Sequence, residues 1–233
     1  MRQVRYPVVL FDAGDTLVGP RESFGAVYAR VLKHLGADLP AADLERGLRT
    51  GWADFNRTHE PGKDRYSTYP GGEAEYWLHF VKRTLAATPN APDDPDFARH
   101  ALEPLRDAFR SPDAWRVFPD VVPALDQLRA MGVRMGVVSN WDSRLPGLLA
   151  DLGLARYFDT VVVSGLEGIE KPNPEIFLRA VRRLDGKPES SLHVGDIPEL
   201  DEAGAKAAGL ASVLIDRRGM LDRAGVIRDL SEL

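Results

Sequence analysis

The spacing of apolar positions changes twice along this chain. Tyr6–Asp12 is a β-branched and aromatic run closed by Gly14, the pattern of a buried strand. For about the next hundred residues the period is helical. Phe24, Val27, Val31, Leu32 and Leu35 share one side of Ser23–Leu35, with Ser23 as the N-cap. Ala41–His59 and Gly72–Ala87 also read as helices, separated by the turn-rich loop EPGKDRYSTYPGG. A second loop, Ala87–Pro95, leads into a helix from Asp96 to Arg110, which Pro104 is expected to kink or split. No strand is expected in this stretch. From Val117 onward the two periods alternate. Helices are expected at Val121–Met131, Ser143–Leu152, Pro174–Leu184 and Glu199–Ala208, and strands at Val133–Ser139, Phe158–Val163, Leu192–Gly195 and Ala211–Ile215. A short helix is expected over Leu221–Leu233.

Strands separated by helices of about ten residues imply βαβ units and a parallel sheet covered on both faces. The expected fold is therefore an α/β core, residues 1–18 and 116–233, interrupted after its first strand by an all-α insertion at 19–115. In such a sheet ligands gather at the carboxyl ends of the strands, where the strand order reverses.

Composition narrows the function classes. A formal net charge of −5 gives no electrostatic reason to expect a nucleic-acid partner. No apolar run is long enough to span a bilayer. The start, MRQVRYPVVLFDAGD, is basic and then apolar, but its apolar run is short and ends in acids, so it reads as a first strand rather than a secretory signal. No cysteine is present, which excludes disulfides and thiol catalysis. The expected compartment is the cytoplasm, and the expected partner is a small molecule rather than a nucleic acid or a membrane.

Four segments at strand ends or helix starts carry the candidate chemistry: FDAGDTL (Phe11–Leu17), VVSN (Val137–Asn140), EKPNPEIF (Glu170–Phe177) and HVGDIPELD (His193–Asp201). Asp12 ends the first strand and is followed by small residues that let a ligand approach. Its carboxylate is either a nucleophile able to form an aspartyl-phosphate or the cap of the following turn. Asp196 and Asp201 are either metal-site acids or turn and cap residues. Two carboxylates in one small site repel unless neutralised, and Mg²⁺, with its preference for oxygen ligands, relieves that. Ser139 and Asn140 can hold a phosphate oxygen or cap a helix. Lys171 is either a solvated surface charge or the cation that a transferring phosphoryl group requires. The five histidines show no metal-ligand spacing, and no G-x-S-x-G elbow, P-loop or G-x-G-x-x-G occurs.

Taken together, the four segments resemble the motifs of the haloacid dehalogenase-like hydrolase superfamily. VFPDVVPALDQLRAMG and SNWDSRLPGLLADLGLARYFDTVVVSG resemble connecting segments of its branch with an α-helical cap inserted after the first strand. The resemblance implies a parallel Rossmann-like sheet with an all-α cap domain. It implies a Mg²⁺-dependent phosphatase acting on a small phosphomonoester. Asp12 would be nucleophile and metal ligand. The Gly14 carbonyl, Asp196 and Asp201 would complete the metal set. Ser139, Asn140 and Lys171 would bind phosphate, and Thr16 would support the first loop. One position departs from the pattern. Phosphatases of this family carry a second Asp two residues after the nucleophile as general acid and base, and here that position is Gly14. Asp15 is the nearest carboxylate, and adjacent side chains in an extended segment point in opposite directions. The departure keeps two other readings open: a 2-haloacid dehalogenase that needs no metal, and a catalytically impaired binding protein. Candidate ligand contacts from the insertion are Trp52, Arg57, His59, Arg65, Tyr66 and Trp77, each also readable as packing or solvated surface.

Overall fold

The computed structural model describes residues 5–94 and 96–233. Met1–Val4 of the basic start and Pro95 at the end of the second loop lie outside them. Two compact units are present. The first comprises Met1–Gly19, Pro61–Ser67 and Val117–Leu233, and the second Pro20–Glu60 and Thr68–Arg116.

In the first unit a six-stranded parallel sheet is built from β1 (Val8–Phe11), β4 (Arg134–Ser139), β5 (Thr160–Val163), β6 (Ser191–Gly195), β7 (Ala211–Ile215) and the two-residue β8 (Val226–Ile227), in the order β5-β4-β1-β6-β7-β8. Two further short strands, β2 (Val18–Pro20) and β3 (Trp115–Val117), pair where the chain leaves and re-enters this unit. The helices are α5 (Val121–Ala130), α6 (Leu145–Asp151), the single-turn α7 (Ser164–Glu167), α8 (Pro174–Arg183) and α9 (Ala203–Ala207). The strands are apolar at nearly every position because both faces of the sheet are covered. Val8, Leu10, Val138 and Val162 pack with Ile176, Phe177, Ala180 and Val181 of α8. Val9 and Phe11 take the opposite side of the pleat, with the Phe11 ring 6.3 Å from that of Phe158.

The second unit contains α1 (Phe24–His34), α2 (Ala41–Thr58), α3 (Gly72–Ala86) and α4 (Phe97–Arg110). Ser23 caps α1 by accepting the Ala26 N–H at 3.2 Å. Leu44, Leu48, Leu78, Phe80, Val81, Ala101 and Leu105 are among the residues of its apolar core.

Three expectations require correction. Pro104 does not split its helix: α4 runs unbroken through it. Pro104 is exposed, while its neighbours Ala101 and Leu105 are buried, so apolar packing holds the helix together despite the missing N–H. Leu221–Leu233 is not a helix. It holds β8 and a 3₁₀ turn at Leu230–Glu232, because Leu230 is buried and its N–H is taken by the Asp120 carboxylate at 2.7 Å. The Glu199–Ala208 segment opens as a π-helical turn at Pro198–Glu202 and only then becomes α9. In addition, Pro61–Ser67, inside the range read as the insertion, packs with the first unit. No helix among the described residues is long and apolar enough to cross a membrane.

Candidate active site

Asp12, Ser139 and Asp196 come together because β1 lies between β4 and β6. In register, Phe11 stands beside Val137 on one side and Val194 on the other, so Asp12 follows β1 between the last residues of β4 and β6. The Asp12 N–H bonds to the Val194 carbonyl at 2.8 Å, which carries the sheet ladder one residue further and fixes this carboxylate at the sheet edge. The chain reverses direction across the sheet here, the position at which a parallel sheet opens a crevice.

Lys171, in the loop before α8, projects into this crevice. Its ammonium donates to Asp12 Oδ1 and to Asp201 Oδ1, both at 2.6 Å, and all three groups are buried. Asp201 also takes His193 Nε2 at 2.8 Å on Oδ1 and the Ile197 N–H at 2.9 Å on Oδ2. Gly195 permits this arrangement: a Cβ there would lie 2.3 Å from Asp201 Cγ. Asp12, Asp196 and Asp201 each offer a ligand atom within 4.8 Å of the others, a set that can hold a metal ion.

Charge explains the titration of these groups. Three carboxylates face one ammonium, which leaves two negative charges uncompensated when all are ionised. Burial pushes the Asp196 carboxyl up to about 8, and the charges of Asp12 and Asp201 add to the effect. Burial likewise raises Asp12 against the opposing pull of Lys171. Asp201 goes the other way: burial is outweighed by Lys171 and His193, which hold it below the usual carboxylate range. Burial alone would lower Lys171, but Asp12 and Asp201 raise it, so it stays charged. Asp196 Oδ1 is buried with no hydrogen-bond partner. An orphaned carboxylate oxygen within an all-oxygen set, whose three carboxyls outnumber the one ammonium, fits a hard divalent cation such as Mg²⁺.

The remaining expected residues are placed as follows. Ser139 is buried at the end of β4, where its hydroxyl opposes the rise of the Asp12 carboxyl. The Asn140 side chain is committed to the backbone of Lys171: Nδ2 donates to the Lys171 carbonyl at 2.9 Å, and Oδ1 accepts the Lys171 N–H at 2.7 Å. Asn140 thus holds the lysine loop with its side chain. Thr16 is buried, and its carbonyl accepts both Nε and Nη2 of Arg217. Gly14 leaves room beside Asp12, where a Cβ would meet the Trp141 ring at 3.5 Å. Asp15 has φ +49° and turns its carboxylate to Arg218, 2.7 Å away. Of the candidate contacts from the insertion, Trp52 and Trp77 pack against Phe80, and Arg57 pairs with Asp54 at 2.9 Å. Arg65 and Tyr66 belong to the first unit, where Arg65 binds Glu170 and Tyr66 is buried. His59, at the C-cap of α2, is half-buried.

Sequence reasoning missed His193, Arg217 and Arg218, and took Arg65 only as a candidate ligand contact rather than as the partner of Glu170. His193 lies in HVGD, a segment already singled out, and a histidine on a fully apolar strand is itself a signal of a buried partner. The three arginines carry no local signal, since their partners are 97 to 203 residues distant.

A parallel sheet bearing carboxylates on its two central strand ends, with a lysine clamped between acids, defines an α/β protein with a carboxylate–lysine centre at its switch point. The chain belongs to the haloacid dehalogenase-like hydrolases, whose family model matches residues 6–209. It is 32% identical over 223 residues to the human haloacid dehalogenase-like hydrolase domain-containing protein 3, covering 95% of this chain and 86% of that protein. It is 34% identical over 222 residues to a glyceraldehyde 3-phosphate phosphatase of Methanopyrus kandleri, covering 91% and 84%. Its fold is similar to that of a haloacid dehalogenase-like phosphatase from Thermococcus onnurineus, with a TM-score of 0.65 at 25% identity over 97% of this chain and 94% of that one.

Proposed function

We propose that the chain is a Mg²⁺-dependent phosphatase acting on a small phosphomonoester through an aspartyl-phosphate on Asp12. The observation that carries this reading is the buried, unpartnered Asp196 Oδ1 in a cluster with the carboxylates of Asp12 and Asp201. Asp12, Asp196 and the Gly14 carbonyl would hold the cation, with Asp201 completing the acidic set. Bound there, Mg²⁺ would supply positive charge against the phosphoryl oxygens. Asp12 attacks phosphorus, the ester P–O bond breaks, and the leaving oxygen takes a proton. Water then cleaves the acyl phosphate, releasing inorganic phosphate and restoring the carboxylate. Lys171, the Ser139 hydroxyl and the main chain of Asn140 bind the phosphoryl group, while Asp201 keeps the ammonium in place. Asp15 serves as proton donor only after exchanging its Arg218 ion pair. The phosphatase named among the relatives supports a small phosphorylated substrate.

The absence of an acid at position 14 motivates the dehalogenase reading. Carbon–halogen displacement by a carboxylate requires no cation, so the clustered acids weigh against it. The test is phosphate release from p-nitrophenyl phosphate with and without Mg²⁺, in the native protein and in Asp12→Asn. Loss of a covalent nucleophile is expected to lower kcat by a factor on the order of 10⁴ to 10⁶. Equal rates in the two proteins would refute the assignment, and chloride release from 2-chloropropionate without metal would select the dehalogenase.

A further inference from the structure

The backbone that follows Asp12 is tied down by two neighbouring peptide planes. The Ala13 carbonyl accepts two N–H groups, from Leu17 at 2.9 Å and from Val18 at 3.0 Å. Each of these N–H groups shares a rigid plane with the carbonyl of the residue before it. The Leu17 carbonyl, in the plane of the Val18 N–H, accepts the Phe118 N–H at 3.2 Å. The Thr16 carbonyl, in the plane of the Leu17 N–H, accepts Arg217 Nε at 3.1 Å and Nη2 at 2.7 Å. One plane is thus fixed by main chain, and the other by a side chain from the segment after β7.

Arg217 is itself rigidly held. Its Nη1 and Nη2 each donate to one oxygen of the Asp120 carboxylate at 2.9 Å. This is the two-pronged geometry that a guanidinium offers and an ammonium does not. The guanidinium also lies over the Phe118 ring, 4.0 Å from its centroid. The two side chains are only 10% and 14% exposed, so water does not loosen the pair as it would a surface one. Thr16 is buried, as are Ala13, Leu17 and Val18 of the same loop. Among the described residues no other donor reaches the Thr16 carbonyl. Arg217 stands beyond the residues that the family model matches, which end at 209.

We propose that Arg217 is a positioning residue for the loop that carries Asp12, acting through the Thr16–Leu17 peptide. A buried carbonyl left without a donor is unfavourable. An apolar side chain in place of the guanidinium offers it none and keeps water out. The peptide then turns to find a donor, and the same turn takes the Leu17 N–H off the Ala13 carbonyl, because both groups belong to one plane. Ala13 stands between Asp12 and Gly14, so the backbone that aims the Asp12 carboxylate loses one of its two ties. Lys171, Ser139 and Asn140 stand on other segments and keep their places. The segment after β7 thereby sets the geometry of the reacting carboxylate without touching a substrate.

The inference rests on the phosphatase reading only for the reaction that Asp12 performs. The experiment therefore compares Arg217→Lys, Arg217→Met and the double variant Arg217→Met/Asp120→Asn by p-nitrophenyl phosphate kinetics, urea unfolding and crystal structures. A misplaced catalytic group costs about 10²-fold in rate, so Arg217→Met is expected to lose about 10- to 100-fold in kcat with KM little changed. Arg217→Lys keeps a donor and recovers part of the loss. The double variant separates positioning from stability. Its unpaired carboxylate is gone, so it withstands more urea than Arg217→Met, yet its kcat stays low. In its crystals the Leu17 N–H leaves hydrogen-bond distance of the Ala13 carbonyl. Recovery of kcat together with stability, or an unchanged loop in those crystals, overturns the proposal. If Arg217→Met does not fold, the double variant and Arg217→Lys carry the same readouts. A native protein with no turnover, but with the Thr16–Leu17 peptide turned in the double variant, overturns the phosphatase reading and leaves the positioning role standing.

Discussion

The two units bury opposite kinds of matter. Among the described residues, the helical unit buries aliphatic and aromatic side chains, with Thr84 and Thr88 as its buried polar residues. Rings of Trp52, Phe55, Tyr76, Trp77 and Phe80 stack within it at centroid distances between 4.8 and 6.4 Å. The α/β unit buries Asp12, Asp64, Asp142, Glu170, Lys171, His193, Asp201 and Asp216. Each of these charges is tolerable only because a partner has been brought to it. Apolar packing is non-directional and forgives substitution by residues of similar volume, whereas a buried charge network has no substitute for a missing member. The helical unit therefore contributes stability of a generic kind. The α/β unit holds an arrangement of charges that is costly unless something binds to it.

Substitutions that act on one unit and not the other can break this contrast. The largest stability effects should come from the centre of each. Phe80→Ala empties a core position and should cost about 3–5 kcal/mol in urea unfolding. Lys171→Met leaves buried carboxylates without their cation and should cost a similar amount, about 3–5 kcal/mol. The discriminating measurement is added Mg²⁺, which stabilises any variant whose site still binds it: it should narrow the gap between Lys171→Met and the native protein and leave the gap between Phe80→Ala and the native protein unchanged. Equal responses of the two variants would remove the distinction drawn here.

The next effect is pH dependence. Asp196 keeps its proton up to about 8 in the metal-free folded state but loses it near 3.8 when unfolded. Between those values the folded state binds the extra proton, so metal-free stability should fall as pH rises from about 4 to about 8, by at most about 1.4 kcal/mol per pH unit for this one group. The raised Asp12 acts in the same direction, while the depressed Asp201 acts only below its unfolded value. Mg²⁺ binding should then release a proton, and the Mg²⁺-induced rise in Tm should be larger at pH 8 than at pH 6. A Tm shift independent of pH would argue against Asp196 as a ligand.

The smallest effect belongs to the helical unit alone. Ser23→Ala removes the cap of α1 and should cost about 1 kcal/mol in urea unfolding, with the Mg²⁺ response unchanged. A change in that response would mean that α1 is coupled to the acidic centre.

The sequence by itself determined the alternation of strands and helices, the helical character of the long interruption after β1, and the four polar segments at strand ends or helix starts. These are local properties: side-chain periodicity follows from backbone geometry over a few residues, and a strand that must be apolar on both faces announces itself. Asp12, Lys171, Asp196 and Asp201 were legible for the same reason, each standing where an apolar run stops or a helix begins. Tertiary structure alone decided the rest. It turned Asp15 toward Arg218 and committed the Asn140 side chain to the Lys171 backbone. It also folded the C-terminal segment onto Asp120 rather than into a helix, and drew Pro61–Ser67 out of the helical unit to carry Arg65 to Glu170. An ion pair between residues 105 apart has no footprint in either partner's neighbours. Its existence depends on how the sheet orders its strands, and electrostatic satisfaction in a low-dielectric interior can be assigned only once every buried charge has its place.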